Sequence, residues 1–213
     1  MQGEDFDSLL RSAQIVNASA HQSANSFRHR ATGFAAQVEE QITADVVKAF
    51  AYLRSAGARV CNLSSAWESD NPRKCVRLSH SLGIQLASFS DSEGSSMGTV
   101  WLRPDGRMSE SSHAAVTTTK STWKSAETAI LLHNGIPVIP GVREDNGLRF
   151  RFVDPTGSVI FLPDPQSHHC LTVWCDLEAR SSEFWGMGLE AGFKGDAREL
   201  LARLVVEARA RIN

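Results

Sequence analysis

The chain has 213 residues, 42% of them hydrophobic and 22% charged, with a formal charge of −2 at pH 7. That hydrophobic share suffices for a buried core and excludes a disordered chain. The near-neutral charge excludes a global attraction to nucleic acid or anionic membrane, so either would need a local patch.

The start, MQGEDFDSLL, has acids where a secretory signal carries Lys or Arg, and no window approaches the roughly 18 consecutive apolar residues of a membrane span. Cys61, Cys75, Cys170 and Cys175 read as free thiols and not as a disulfide framework. The expectation from these features is a soluble, cytoplasmic protein without a membrane partner.

The first element is a long apolar stripe: Phe6, Leu9, Ala13, Val16, Ala20, Ala24, Phe27, Ala31, Phe34, Val38, Ile42, Val46, Ala49 and Leu53. Steps of three and four, with no Pro and one Gly between residues 6 and 56, predict a helix of roughly 75 Å at ~1.5 Å per residue. Phe6, Ala13, Ala20, Phe27 and Phe34 recur every seven residues, the signature of a coiled coil or helical hairpin. From Val38 the period lengthens, which assigns the first part to helix–helix pairing and the second to packing on a globular body.

The run from Asn17 to Ser26 is rich in poor helix formers, so a hairpin bending near residues 17 to 25 is the competing geometry. The alanines of the seam bury little area, so the seam alone would associate weakly. Gly57 supplies the stop.

Short apolar runs then alternate with turn residues, predicting strands at Ala58–Leu63, Val76–Leu78, Ile84–Phe89, Met97–Leu102, Ala129–His133, Ile136–Ile139, Leu148–Val153, Val159–Leu162 and His169–Leu177. Turns are expected at Asp70-Asn71-Pro72, Pro104-Asp105-Gly106, Asp145-Asn146-Gly147 and Asp154-Pro155-Thr156-Gly157, where Gly and Asn accept positive φ and Pro fixes a corner. In the hairpin built on the last of these, alternation places Leu148, Phe150 and Phe152 on a core face and Arg149 with Arg151 on the other. Residues 109–125, dominated by Ser and Thr, read as a surface loop with a possible strand at Ala115–Thr119. Residues 183–195 mix Phe184, Trp185, Met187, Leu189 and Phe193 with glycines, a crossing loop or a docking strip.

The chain closes on an amphipathic helix. Asp196 and Glu199 have capping-box spacing, and Leu200, Leu201, Leu204, Val205, Ala208 and Ile212 repeat at helical intervals. The fold class is therefore α+β: a helical region over 1–56, an antiparallel β-rich domain over 57–178, and a Gly-containing connector with a C-terminal helix over 179–213.

Candidate sites are weak. His168, His169, Cys170 and Cys175 are chemically apt for zinc, but strand parity divides them between two faces, so no metal site and no cofactor is assigned. His80 and His113 have serine neighbours, but no serine is placed in the strand-turn-helix context of a nucleophile elbow. Asn134 to Gly141 resembles a short segment of ATP-grasp carboxylases; no phosphate loop accompanies it, a Pro-bounded edge strand explains it equally well, and no function is carried over.

The leading expectation is a non-enzymatic interaction module. It would form a homo-oligomer through Phe6, Leu9, Val16, Phe27 and Phe34, and would meet a protein partner through the sheet domain and a strip including Phe184 and Trp185. The alternatives are an enzyme for a small molecule or nucleotide, with His113, His133 or His168 converging only in the fold, and an anion or nucleic-acid site at Arg149 and Arg151.

Overall fold

The computed structural model of the protein describes residues 6–64, 80–90, 96–112, 132–133, 136–139, 148–163, 171–185 and 196–212. Residues 6–55 form one helix, α1 (Phe6–Ser55), 50 residues long. It runs without a break through residues 17–26, so the hairpin geometry is not adopted. It ends as the sequence requires. Gly57 takes φ +90, the Ala58 N–H donates to the Leu53 carbonyl at 2.9 Å and the Gly57 N–H to the Arg54 carbonyl at 3.1 Å, a Schellman stop that satisfies the last free carbonyls.

Among the described residues ten strands follow in two sheets. The larger has the order β4-β3-β2-β1-β6-β5, from β1 (Val60–Ser64), β2 (His80–Ser90), β3 (Ser96–Leu102), β4 (Met108–Ser112), β5 (Leu132–His133) and β6 (Ile136–Ile139). The smaller has the order β10-β9-β7-β8, from β7 (Leu148–Val153), β8 (Val159–Leu162), β9 (Leu171–Asp176) and β10 (Ser181–Trp185). Helix α2 (Ala197–Ala210) closes the chain.

The α+β class holds, with antiparallel pairing throughout except where β6 joins β1 and β9 joins β7 in parallel. Both exceptions join strands that are distant in sequence, a connection that hairpin reasoning does not reach. Strand β6 lies between β1 and β5, so the Pro-bounded segment is not an edge. The two-residue β5 is the edge, and Pro137 pairs with Leu132. Strand β10 adds a fourth strand C-terminal to the last one expected, and β4 occupies the start of the Ser/Thr-rich stretch. The expected strand at 76–78, the turns at 70–72 and 145–147, and residues 186–195 fall outside the described residues.

One core unites these elements. The inner face of α1, from Phe27 to Leu53, packs with Ile84, Leu86, Val100, Leu102 and Met108 of the larger sheet, with Phe150, Phe152, Leu171, Val173 and Phe184 of the smaller, and with Ala197, Leu200, Leu201, Val205 and Ala208 of α2. Cys61, Leu63 and Trp101 form a satellite cluster on the other face of the larger sheet. Polar ties fix the helices. The Asp196 carboxylate caps α2 by accepting from the Arg198 N–H at 2.8 Å, the Arg198 guanidinium pairs with Asp45 of α1, and Arg211 donates to the Leu86 carbonyl.

The β3–β4 turn is pressed onto α1. Gly106 has φ +84, and a Cβ there would meet Thr43 Cγ2 and come within 2.8 Å of the Thr43 carbonyl. Gly157, in the β7–β8 turn, has φ +85 but open space around it. Gly106→Ala should therefore lower unfolding stability by about 2–4 kcal/mol, from backbone strain plus collision. Gly157→Ala should cost only about 1 kcal/mol. Equal losses for the two in denaturant unfolding would contradict this packing.

Candidate functional site

The feature that the body does not account for is the N-terminal part of α1. Every residue from Phe6 to Ser26 is exposed, and the first buried residue is Phe27. The apolar side chains here are not shielded: Phe6 is 70% exposed, Leu9 49%, Leu10 45% and Val16 68%. The division between free and packed helix thus falls at Phe27 and not at Val38, where the period changes. Phe27 packs in the core with Arg30 over its ring at 6.0 Å, and Phe34 is partly buried against the same core. Of the five seam residues chosen from the sequence, Phe6, Leu9 and Val16 are presented to solvent, and Phe27 and Phe34 are held by the chain itself. Leu10, next to Leu9, belongs with the exposed set.

The free stripe is a continuation of the packed one. At 100° per residue, Phe6, Leu9, Leu10, Ala13, Val16, Ala20 and Ala24 lie within a sector of about 120°, and the buried positions Phe27, Ala31, Ala35, Val38 and Ile42 occupy the same sector. Ile15, 70% exposed, lies on the far side.

Flanking charge is sparse, since Asp7, Arg11 and His21 are the only titratable side chains from residue 6 to residue 26. A solvated helix is usually supported by i,i+4 ion pairs. This one carries Ser, Asn and Gln in those places, residues whose side chains compete for backbone hydrogen bonds.

The outer face of the smaller sheet holds the arginines. Arg151 is the cross-strand neighbour of both Phe161 and Trp174, and Trp174 that of Glu183, giving a row Phe161–Arg151–Trp174–Glu183 across four strands. The guanidinium of Arg151 lies 4.1 Å from the Trp174 ring centroid and that of Arg149 4.8 Å from that of Phe161. Both cations are therefore stacked on rings.

A hollow of 490 Å³ beside Arg151 is lined by Trp174 and by Asp154, Asp176, Glu178 and Glu183. Four carboxylates against one guanidinium disfavour a phosphate there. The Asp154 carboxylate is held below the usual carboxylate range, first by the Thr156 hydroxyl at 2.6 Å and then by the N–H groups of Ser158 and Thr156, so it stays charged.

Phe184 faces inward and is buried in the core, while of Trp185 only the backbone pairing with Thr172 is described. A second hollow, of 710 Å³, lies between α1 and α2 with Ala49, Leu201 and Val205 among its lining. Among the described residues no histidine lines either hollow, and no three His, Cys, Asp or Glu come together as a metal site. His113 and His168 lie outside the described residues, as do the His169 and Cys170 of the zinc reading, and His80 and His133 are described only as strand backbone.

The two described thiols are chemically quiet. Burial raises that of Cys61, and burial pushes Cys175 up to about 12, leaving both protonated and poorly nucleophilic at neutral pH. No helix among the described residues is long and apolar enough to cross a membrane. Comparison of the chain with protein-family models, with curated proteins and with solved structures finds no match.

Two measurements check this reading. In a double-mutant cycle, Arg151→Ala and Trp174→Ala should couple by about 0.5–1 kcal/mol, and additive effects would show that the stacking is not formed in solution. The Cys175 thiol ionises near the ordinary 9.0 once unfolded but only at about 12 in the fold, so the folded state keeps the proton longer. Its contribution to stability is intact below pH 9 and is lost as pH rises toward 12. The slope of stability against pH in this window should be shallower for Cys175→Ala than for the parent, and identical slopes would contradict the burial effect.

Proposed function

We propose that this protein is a non-enzymatic assembly module that self-associates through the exposed N-terminal half of α1 and presents its β-sheet body to a protein partner. The observation that carries the reading is the uncovered apolar stripe of Phe6, Leu9, Leu10 and Val16 on a helix that projects past its own core. At about 1.5 Å per residue, the 21 exposed positions extend some 30 Å. Isolated helices of this length are marginal in water even with favourable sequences, and this one carries Asn17, Ser19, His21, Ser23, Asn25 and Ser26. Covering the stripe is the economical way to hold such a segment helical, because most helical stability in proteins comes from packing an apolar face.

Association accounts for the stripe, and the described residues supply no convergent catalytic constellation that would favour an enzyme. The outer sheet face, with Trp174, Val153 and Val159 partly open, is the surface offered to a partner. A cytoplasmic setting is consistent with Cys61 and Cys175 being free thiols.

The test uses the full chain with Leu9→Asp, Leu10→Asp and Val16→Asp combined. Light scattering over a concentration series should give an oligomer mass for the parent and a monomer mass for the variant. The variant should also lose helical circular dichroism, while its unfolding free energy at low concentration stays within about 1 kcal/mol of the parent's, because none of these side chains belongs to the core. A parent that scatters as a monomer at every concentration removes the proposal. Deleting the whole helix is not an equivalent test, since residues 27–53 supply core side chains.

A further inference from the structure

We propose that the exposed half of α1 pairs with the same segment of a second copy in antiparallel orientation, about a two-fold axis near residue 15. The inference rests on the self-association reading and adds its geometry.

The first argument is steric. The apolar sector that is free over residues 6–26 is the sector covered by the chain's own sheets and α2 from Phe27 onward. A second helix lying parallel and in register would continue along that sector for another 29 residues, roughly 43 Å. It would run into the space already filled by Ile84, Leu86, Phe150, Phe152 and Val173. An antiparallel helix meets the sector only where it is open, and its own body then lies beyond the first helix's N-terminal end. Because α1 is one unbroken helix, the two chains cannot splay apart at Phe27 without a kink for which this helix has no Pro.

The second argument is side-chain volume. In the heptad frame the seam of the free segment is Phe6, Ala13 and Ala20 at one core position and Leu10, Asn17 and Ala24 at the other, with Leu9 and Val16 flanking it. Antiparallel pairing centred on residue 15 sets Phe6 against Ala24 of the partner subunit, Leu10 against Ala20 of the partner subunit, and Ala13 against Asn17 of the partner subunit. Phe6 and Leu10 then each meet an alanine, which keeps the interaxial distance even along the overlap. Parallel pairing would stack Phe6 on Phe6 and Leu10 on Leu10 at one end and alanine on alanine at the other, a wedge with a gap. The central Asn17, facing an alanine, has room to turn its amide to the solvated rim.

Cysteine crosslinking reads the geometry directly, using two full-length preparations, Leu10→Cys and Ala20→Cys, one of them tagged. In the antiparallel pair positions 10 and 20 face each other across the seam, while the two copies of position 10 lie about 15 Å apart along the axis, beyond disulfide reach. Mild oxidation of the mixture should therefore yield the mixed disulfide at least ten times more readily than either preparation alone forms its own. The parent chain controls for native thiols. An oligomer whose same-position disulfides predominate would overturn the antiparallel geometry and leave self-association standing, whereas monomers throughout would overturn both.

Discussion

The structure depends on a single constraint on α1. One face of this helix is mainly apolar along its length, and among the described residues the body covers only the later half of it. From Phe27 to Leu53 that face is the floor on which both sheets and α2 meet, so a helix, not a sheet, is the element shared by every part of the core. The polar ties reinforce the same arrangement. Asp45 holds Arg198, Thr43 receives the glycine of the β3–β4 turn, and Arg211 reaches back to the carbonyl of Leu86. Each fixes orientation where apolar burial, which has no direction, would allow sliding.

From this follows an unequal distribution of stability. The later half of α1 cannot unfold without opening the core, whereas among the described residues the earlier half contributes no buried side chain. Its sequence is poor in good helix formers and in stabilising ion pairs, so its local opening free energy lies at the low end of the range within a folded protein. For such a segment, ordering would be coupled to any association it enters, and both would respond to concentration.

The sheet body, by contrast, invests its unusual residues in structure. Arg149 and Arg151 spread over Phe161 and Trp174, which lets an outward sheet face carry aromatic area without leaving it bare. The thiols of Cys61 and Cys175 sit in apolar surroundings that keep them protonated.

Much of this architecture is local and therefore legible in the chain. The stop at Gly57, the turn at Asp154–Gly157, the cap at Asp196 and the parity of residues 148–153 each depend on a few adjacent residues whose allowed backbone angles and hydrogen bonds are set by their own chemistry. The apolar periodicity likewise marked residues 6–56 as helical with one greasy face, while leaving one helix and a hairpin as alternatives. What periodicity cannot encode is where that face stops being covered, because Ala20, Ala24, Ala31 and Ala35 look alike in sequence and differ only in whether another part of the chain lies over them. The parallel joins of β1 with β6 and β7 with β9, and the meeting of Arg151 with Trp174, were likewise decided by the tertiary structure. They bring together segments far apart along the chain, and such contacts arise from the competition among all segments for one limited core, not from any residue's own preference.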